Sequence, residues 1–239
     1  MTSRKSPFRQ YLSRSKTFHY GLILTLPALA LYEIGIFLLF KDSYYELRNT
    51  GEVLLRQVFS SMGLDDIYVI SAILLAIFLF IMIRGYRIEK APGIQANYLF
   101  YMLCESLIWG ALLYAIMLGY ARLPLQILSF TEKMSNINLA VGAGIFEELI
   151  FRMVLISALM VVLKQGLGFG RRWVEPLGIV MAAVVFAGFH LFMEPFVFLI
   201  FMQRVIGGIY LGYIFQYRGY GISVYTHIMF NLLILAESW

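Results

Sequence analysis

Apolar runs of about 20 residues, with no polar alternation inside them, recur along this chain, and a run of that length wound as a helix covers the ~30 Å hydrocarbon of a bilayer. They fall at roughly 18–40, 67–84, 97–121, 137–163, 174–194, 196–216 and 219–236. This pattern predicts an all-α fold, a polytopic transmembrane helix bundle of seven spans, forming one integral membrane domain over 1–239. The fifth and sixth spans are divided at Glu194-Pro195, because proline cannot continue a helix without losing a hydrogen bond. The chain is 61% hydrophobic and 14% charged, where soluble domains are about half apolar and a quarter charged. Lipid, rather than a soluble core, is the solvent that accommodates such a chain.

The formal net charge of +5 is explained by where the basic residues sit. With the N-terminus inside, the cytoplasmic segments hold Arg4, Lys5, Arg9, Arg14, Lys16, Arg84, Arg87, Lys90, Lys164, Arg171, Arg172 and Arg218, and the outer segments only Lys41, Arg48, Arg56, Arg122 and Lys133. The positive-inside rule therefore makes residues 1–17 a basic cytoplasmic tail, and an odd number of spans puts Trp239 outside. No basic stripe interleaved with aromatics suggests nucleic acid. The run after the tail is too long for a signal-peptide core and has no small-residue cleavage pattern, so it is expected to be a retained first span. Two longer connections, 47–62 and 122–135, carry apolar residues at helical spacing and are expected to lie as helices in the interface, or alternatively to gate a substrate. The single cysteine, Cys104, excludes an intrachain disulfide and a cysteine-based metal site.

Ionisable side chains inside spans are costly and mark function more often than they decorate lipid. The fourth span carries Glu147, Glu148 and Arg152. Glu148 and Arg152 are four apart and face each other, so Arg152 neutralises Glu148. Glu147 points about 100° away and is left for another partner. A carboxylate without a fixed cation in low dielectric makes a useful general base. His190 closes the fifth span. His227 and Asn231 share one face of the seventh, where two donors aimed at one point suit a developing oxyanion. Each motif also has a structural reading: a register-setting ion pair, an interfacial histidine, an interhelical hydrogen-bond pair. A glutamate, two histidines and an asparagine on three spans form a constellation that those separate readings do not explain. Glu33, Glu105, Gln203 and Arg204 either line the same cavity or pair with each other, and the residues alone leave both readings open.

The order Glu147-Glu148-x-x-x-Arg152, Phe186-x-x-x-His190 and His227-x-x-x-Asn231 resembles the CPBP family, the CAAX prenyl endopeptidases and bacteriocin-processing enzymes also called the Abi family. The likeness spans 137–236, a four-span catalytic core, and leaves the first three spans without a motif. It implies an intramembrane endopeptidase, a glutamic peptidase in which Glu147 and His190 activate water, His227 and Asn231 stabilise the oxyanion, and Glu148 and Arg152 brace the site. It further implies a membrane-embedded or lipidated peptide or protein as substrate. The prenyl endopeptidases of this family open their site to the cytosol, whereas the span limits here put the polar cluster at the midplane or slightly outward.

Glu147, His190 and His227 could also form a two-histidine, one-carboxylate zinc site with an open position. The spacing is not His-Glu-x-x-His, and a metal-free site accounts better for Asn231, so no cofactor is favoured and zinc is the alternative. Two other classes remain open from the residues alone. A transporter or channel could use the intramembrane charges as an ion path, although inverted repeats are missing. A non-catalytic scaffold could keep the motifs as packing, and Gly208-x-x-x-Gly212 suits close helix approach, more naturally inside the bundle than between molecules. Cys104 as a nucleophile lacks any histidine placed beside it by the sequence.

Overall fold

A computed structural model of the protein describes residues 6–39, 50–63, 94–118, 130–192 and 195–237, with Ala76, Phe80 and Ile83. Among the described residues all regular structure is helical, as the unalternating apolar runs require. A short basic helix α1 (Pro7–Ser15) leads into α2 (Phe18–Leu39), followed by α3 (Thr50–Ser60) and α4 (Ala96–Leu118). A long rod comes next: α5 (Phe130–Glu147), a π-helical stretch (Glu148–Ile156), one α turn, α6 (Ser157–Val161), and a second π stretch (Val162–Gly166). The chain closes with α7 (Arg171–Phe189), a 3-10 turn (His190–Phe192), α8 (Phe198–Arg218) and α9 (Tyr220–Ala236).

Four helices among the described residues are long and apolar enough to cross a bilayer: Phe18–Leu39, Ala96–Leu118, Arg171–Phe192 and Phe198–Arg218. Tyr220–Ala236 is apolar but shorter. The expected span at 137–163 lies within the rod, whose π stretches split it into pieces. The expected span at 67–84 lies outside the described residues except for Ala76, Phe80 and Ile83, and so do Glu194 and 122–129 of the second expected interfacial helix. Residues 130–135 of that segment already belong to α5 rather than to a separate surface helix.

The first expected interfacial helix exists as α3, with Val53, Gln57 and Ser60 exposed on one face and one residue of the other face bonded into the bundle. Glu52 is fully buried. Its carboxylate accepts from the Tyr32 hydroxyl of α2 at 2.6 Å and from Arg56 Nε at 2.6 Å. The buried acid faces inward because α2 supplies a donor and α3 carries its own cation one turn on, so the carboxylate is satisfied.

α9 is the hub, packed against α2, α4, α5 and α8. Its first half is buried apart from the half-buried Tyr225, from Tyr220 to Val224 and from Thr226 to Ile228. One core cluster joins α2, α5 and α9 through Leu22, Tyr32, Ile36, Phe146, Val224 and Ile228. Close approach of α5 to α9 depends on Gly144: a Cβ there would lie 2.4 Å from Ile228 Cγ1 and 3.0 Å from the Val224 carbonyl oxygen. Gly208 and Gly212 do the same for α8 against α7, where added Cβ atoms would meet Ala183 at 2.9 Å and Ile179 at 2.8 Å. The small-residue motif therefore works inside the bundle.

Gly144→Val is expected to force α5 away from α9 and to cost about 1–3 kcal/mol, the usual penalty of overpacking. Gly166→Ala, whose Cβ would meet only Val162 at 3.9 Å, is expected to leave stability unchanged or slightly raised. Thermal unfolding of the two variants in one detergent checks the difference.

Candidate active site

The site begins at the change of helix type. α5 ends at Glu147 and the π stretch starts at Glu148, so the register shift falls inside the carboxylate doublet. π-helical turns within α-helices are uncommon and concentrate at functional positions. Beyond that shift, both carboxylates reach one imidazole. Glu148 Oε1 lies 2.9 Å from His227 Nδ1, and Glu147 Oε2 lies 3.9 Å from His227 Nε2. The ring is held from one edge and watched from the other.

Glu148 is wholly buried and fully engaged. It accepts from His227 Nδ1–H, it accepts from the Ser223 hydroxyl at 2.5 Å, and Arg152 Nη1 stands 3.2 Å away. The Arg152 contact is an ion pair without hydrogen-bond alignment, since neither Nη has a hydrogen-bond partner among the described residues. Its guanidinium carbon lies 4.4 Å from the centre of the Phe186 ring, a cation–π contact in a dry setting. Glu148 and Arg152 thus occupy the interior behind the histidine, as the four-residue spacing suggested.

His190 stands just past the end of α7. Its Nδ1 is 2.9 Å from the Phe186 carbonyl oxygen one turn back. A carbonyl only accepts, so this bond puts the proton on Nδ1 and leaves Nε2 with its lone pair when the ring is neutral. The ring sits edge-on between Phe186, at 4.8 Å between centroids, and Phe189 at 6.0 Å.

Glu147, His190, His227 and Asn231 all line one cavity of about 450 Å³. Its other walls include Leu113, Met117, Leu211 and Phe230, so a polar patch is set into an apolar chamber. Glu147 and His227 are each only 5% exposed, which leaves their outer edges to the cavity and little else. The three motifs, carried on the rod, on α7 and on α9, meet because α9 is the hub and Gly144 lets the rod approach it.

Among the described residues, no three histidine, cysteine or acidic side chains group closely enough to hold a metal ion. Glu147 and His227 face each other, but His190 reaches the cavity from another wall. As placed, the three do not fit a zinc tripod, and no step is derived through a metal.

The sequence does not point to Ser223, and it leaves open which of Glu105, Gln203 and Arg204 reach the cavity. Ser223 is one helical turn before His227 on the same face, a spacing that could have drawn attention to it, but an intramembrane serine carries no charge to stand out. Gln203 and Arg204 line the cavity from α8, while Glu105, which looked equivalent, does not. Glu105 lies elsewhere in the bundle, bonded by Arg218 Nε at 2.5 Å and Nη2 at 2.8 Å, by Trp109 and by Tyr11. Burial, then the bond to Glu105, pushes the Tyr11 phenol up, so it remains a donor across the physiological range.

The cavity combines a carboxylate and an imidazole lone pair on its walls with an imidazole oriented by a buried acid, and an amide one turn from it. General-base chemistry and stabilisation of a nascent anion are within reach of such groups. Comparisons with curated proteins and with solved structures returned no match. Residues 133–233, from α5 to α9, match the family model described as type II CAAX prenyl endopeptidase, Rce1-like, which is the family that the three motifs resemble.

Proposed function

We propose that this integral membrane protein is an endopeptidase that hydrolyses a peptide bond of a membrane-associated or lipidated substrate with a water activated by Glu147 and His190. What supports this reading above all is that Glu147, His190, His227 and Asn231 share one cavity, with the His227 ring fixed by Glu148. The apolar walls suit a lipid-embedded segment or an acyl chain, and the volume lies in the range of ordinary ligand pockets.

In this mechanism the water gives its proton to Glu147 or to His190 Nε2 as its oxygen bonds the scissile carbonyl carbon. The carbonyl electrons move onto oxygen, where His227 Nε2–H and the Asn231 amide donate to the oxyanion. Collapse breaks the C–N bond, and the proton held by the base passes to the departing amine. With Nδ1–H held by Glu148, donation from Nε2 uses the doubly protonated, imidazolium form of His227. Glu148, Ser223 and Arg152 act through the ring they orient.

The reaction needs no metal in this scheme, and the four-span segment 137–236 holds every group it uses. Chelation that strips divalent ions is expected to leave the cleavage rate unchanged. Loss of activity restored by zinc would instead favour a metal at Glu147, His190 and His227.

Glu147→Gln keeps the shape of the side chain and removes the base, so cleavage is expected to fall about 10²–10⁴-fold. Asn231→Ala removes one oxyanion donor and is expected to cost about 10²–10³-fold. Mass spectrometry of membrane peptides from cells carrying wild type or Glu147→Gln checks both the activity and the bond. Identical peptide profiles would leave a scaffold or a transporter as the better description.

A further inference from the structure

The two ends of the bundle are unlike, and the cavity belongs to one of them. The start of α2 meets the start of α4, where the Gln95 amide donates to the Tyr20 hydroxyl at 2.9 Å and the Tyr11 and Tyr98 rings lie 5.6 Å apart. The end of α8 joins them: Arg218 donates to Ser15 Oγ at 2.9 Å. This end carries α1, the starts of α2, α4, α7 and α9, and the ends of the rod and of α8. Its basic residues include Arg9, Arg14 and Lys16 from the N-terminal segment, and Lys164, Arg171 and Arg172 around the turn into α7. At the other end the described basic residues are Arg56, Lys133 and Arg204, with Glu52 beside Arg56.

The cavity mouth is built at that other end. Tyr114 and Leu118 come from the last turns of α4, His190 from beyond α7, Ile200 from the first turn of α8, and Ile234 and Glu237 from the close of α9. Tyr114 donates to Glu237 across this rim. Toward the basic end the site is backed by Glu148, Ser223, Ile222 and Tyr220, which are 0–2% exposed. The mouth therefore lies toward the end that is poor in positive charge.

Positive charge in short membrane loops marks the cytoplasmic face. Resting on the endopeptidase reading, we propose that the cavity opens away from the cytoplasm and takes as substrate the extracytoplasmic part of a membrane-anchored peptide or protein, such as the outer flank of a transmembrane segment or a lipid-anchored tail. A prenylated C-terminus displayed in the cytosol would lie on the side away from the mouth. Cleavage products with their new ends in the outer leaflet or outside the cell are the corollary.

The test uses full-length protein with Cys104, which is exposed, replaced by alanine, and single cysteines placed at Ser13→Cys in α1 and Phe196→Cys in the connection to α8. A membrane-impermeant thiol reagent is applied to intact cells and then to permeabilised ones. Phe196→Cys is expected to label in intact cells and Ser13→Cys only after permeabilisation. Labelling of Ser13→Cys in intact cells, with Phe196→Cys protected until permeabilisation, would overturn the assignment. Phe169→Cys and Phe192→Cys, both at exposed positions of the two ends, repeat the measurement should the first pair fail to accumulate. Labelling requires no turnover, so its outcome is separate from that of the Glu147→Gln peptide comparison, which tests the endopeptidase reading itself.

Discussion

An ionised carboxylate enclosed by protein and lipid must be met by charge or by several donors, and Glu148 is enclosed completely. Its three partners come from two elements: Arg152 from the rod, His227 and Ser223 from α9. Meeting that requirement fixes the rotation of the rod relative to α9 and the orientation of the His227 ring. Glu147 follows without a free choice, since it is the next residue on the same backbone. The acid buried behind the histidine therefore determines where the acid in front of it can be.

The packing is arranged so that this junction can form. Gly144 lets the rod touch α9 backbone to side chain, and Gly208 and Gly212 draw α8 onto α7. Each contact lies next in sequence to a residue that lines the cavity, Ala143 for Gly144, Gly207 for Gly208 and Leu211 for Gly212. Away from it, Glu105, Arg218 and Tyr11 form a second polar knot that fastens the basic helix α1 to the bundle. One knot orients the His227 ring and the other ties α1 to α4 and α8, which is why intramembrane charges that look alike in sequence have unlike surroundings.

The motif spacing was enough to bring Glu148 opposite Arg152 and to put His227 and Asn231 on one face, because an i to i+4 relation is local and survives any packing. The glutamate–histidine meeting across helices was only inferable from scarcity: few polar groups in lipid, each needing a partner. Ser223 was hidden for the converse reason, being small and unremarkable in any membrane helix. The tie of Glu52 to the bundle was not legible, since nothing local announces that Tyr32, 20 residues earlier, donates to it.

Hydropathy and chain length alone determined that the protein is helical and lives in a bilayer, for backbone groups in hydrocarbon must be satisfied within the segment. The polar residues that line the cavity were also legible, as charges and imidazoles stand out against an apolar chain. Only the tertiary structure decided that they border a single cavity, that the register shifts into a π-helix between Glu147 and Glu148, and that the mouth lies opposite the basic end. Those depend on how separate helices rotate and approach, and that is set by the joint satisfaction of buried polar groups and glycine contacts, which no single segment encodes.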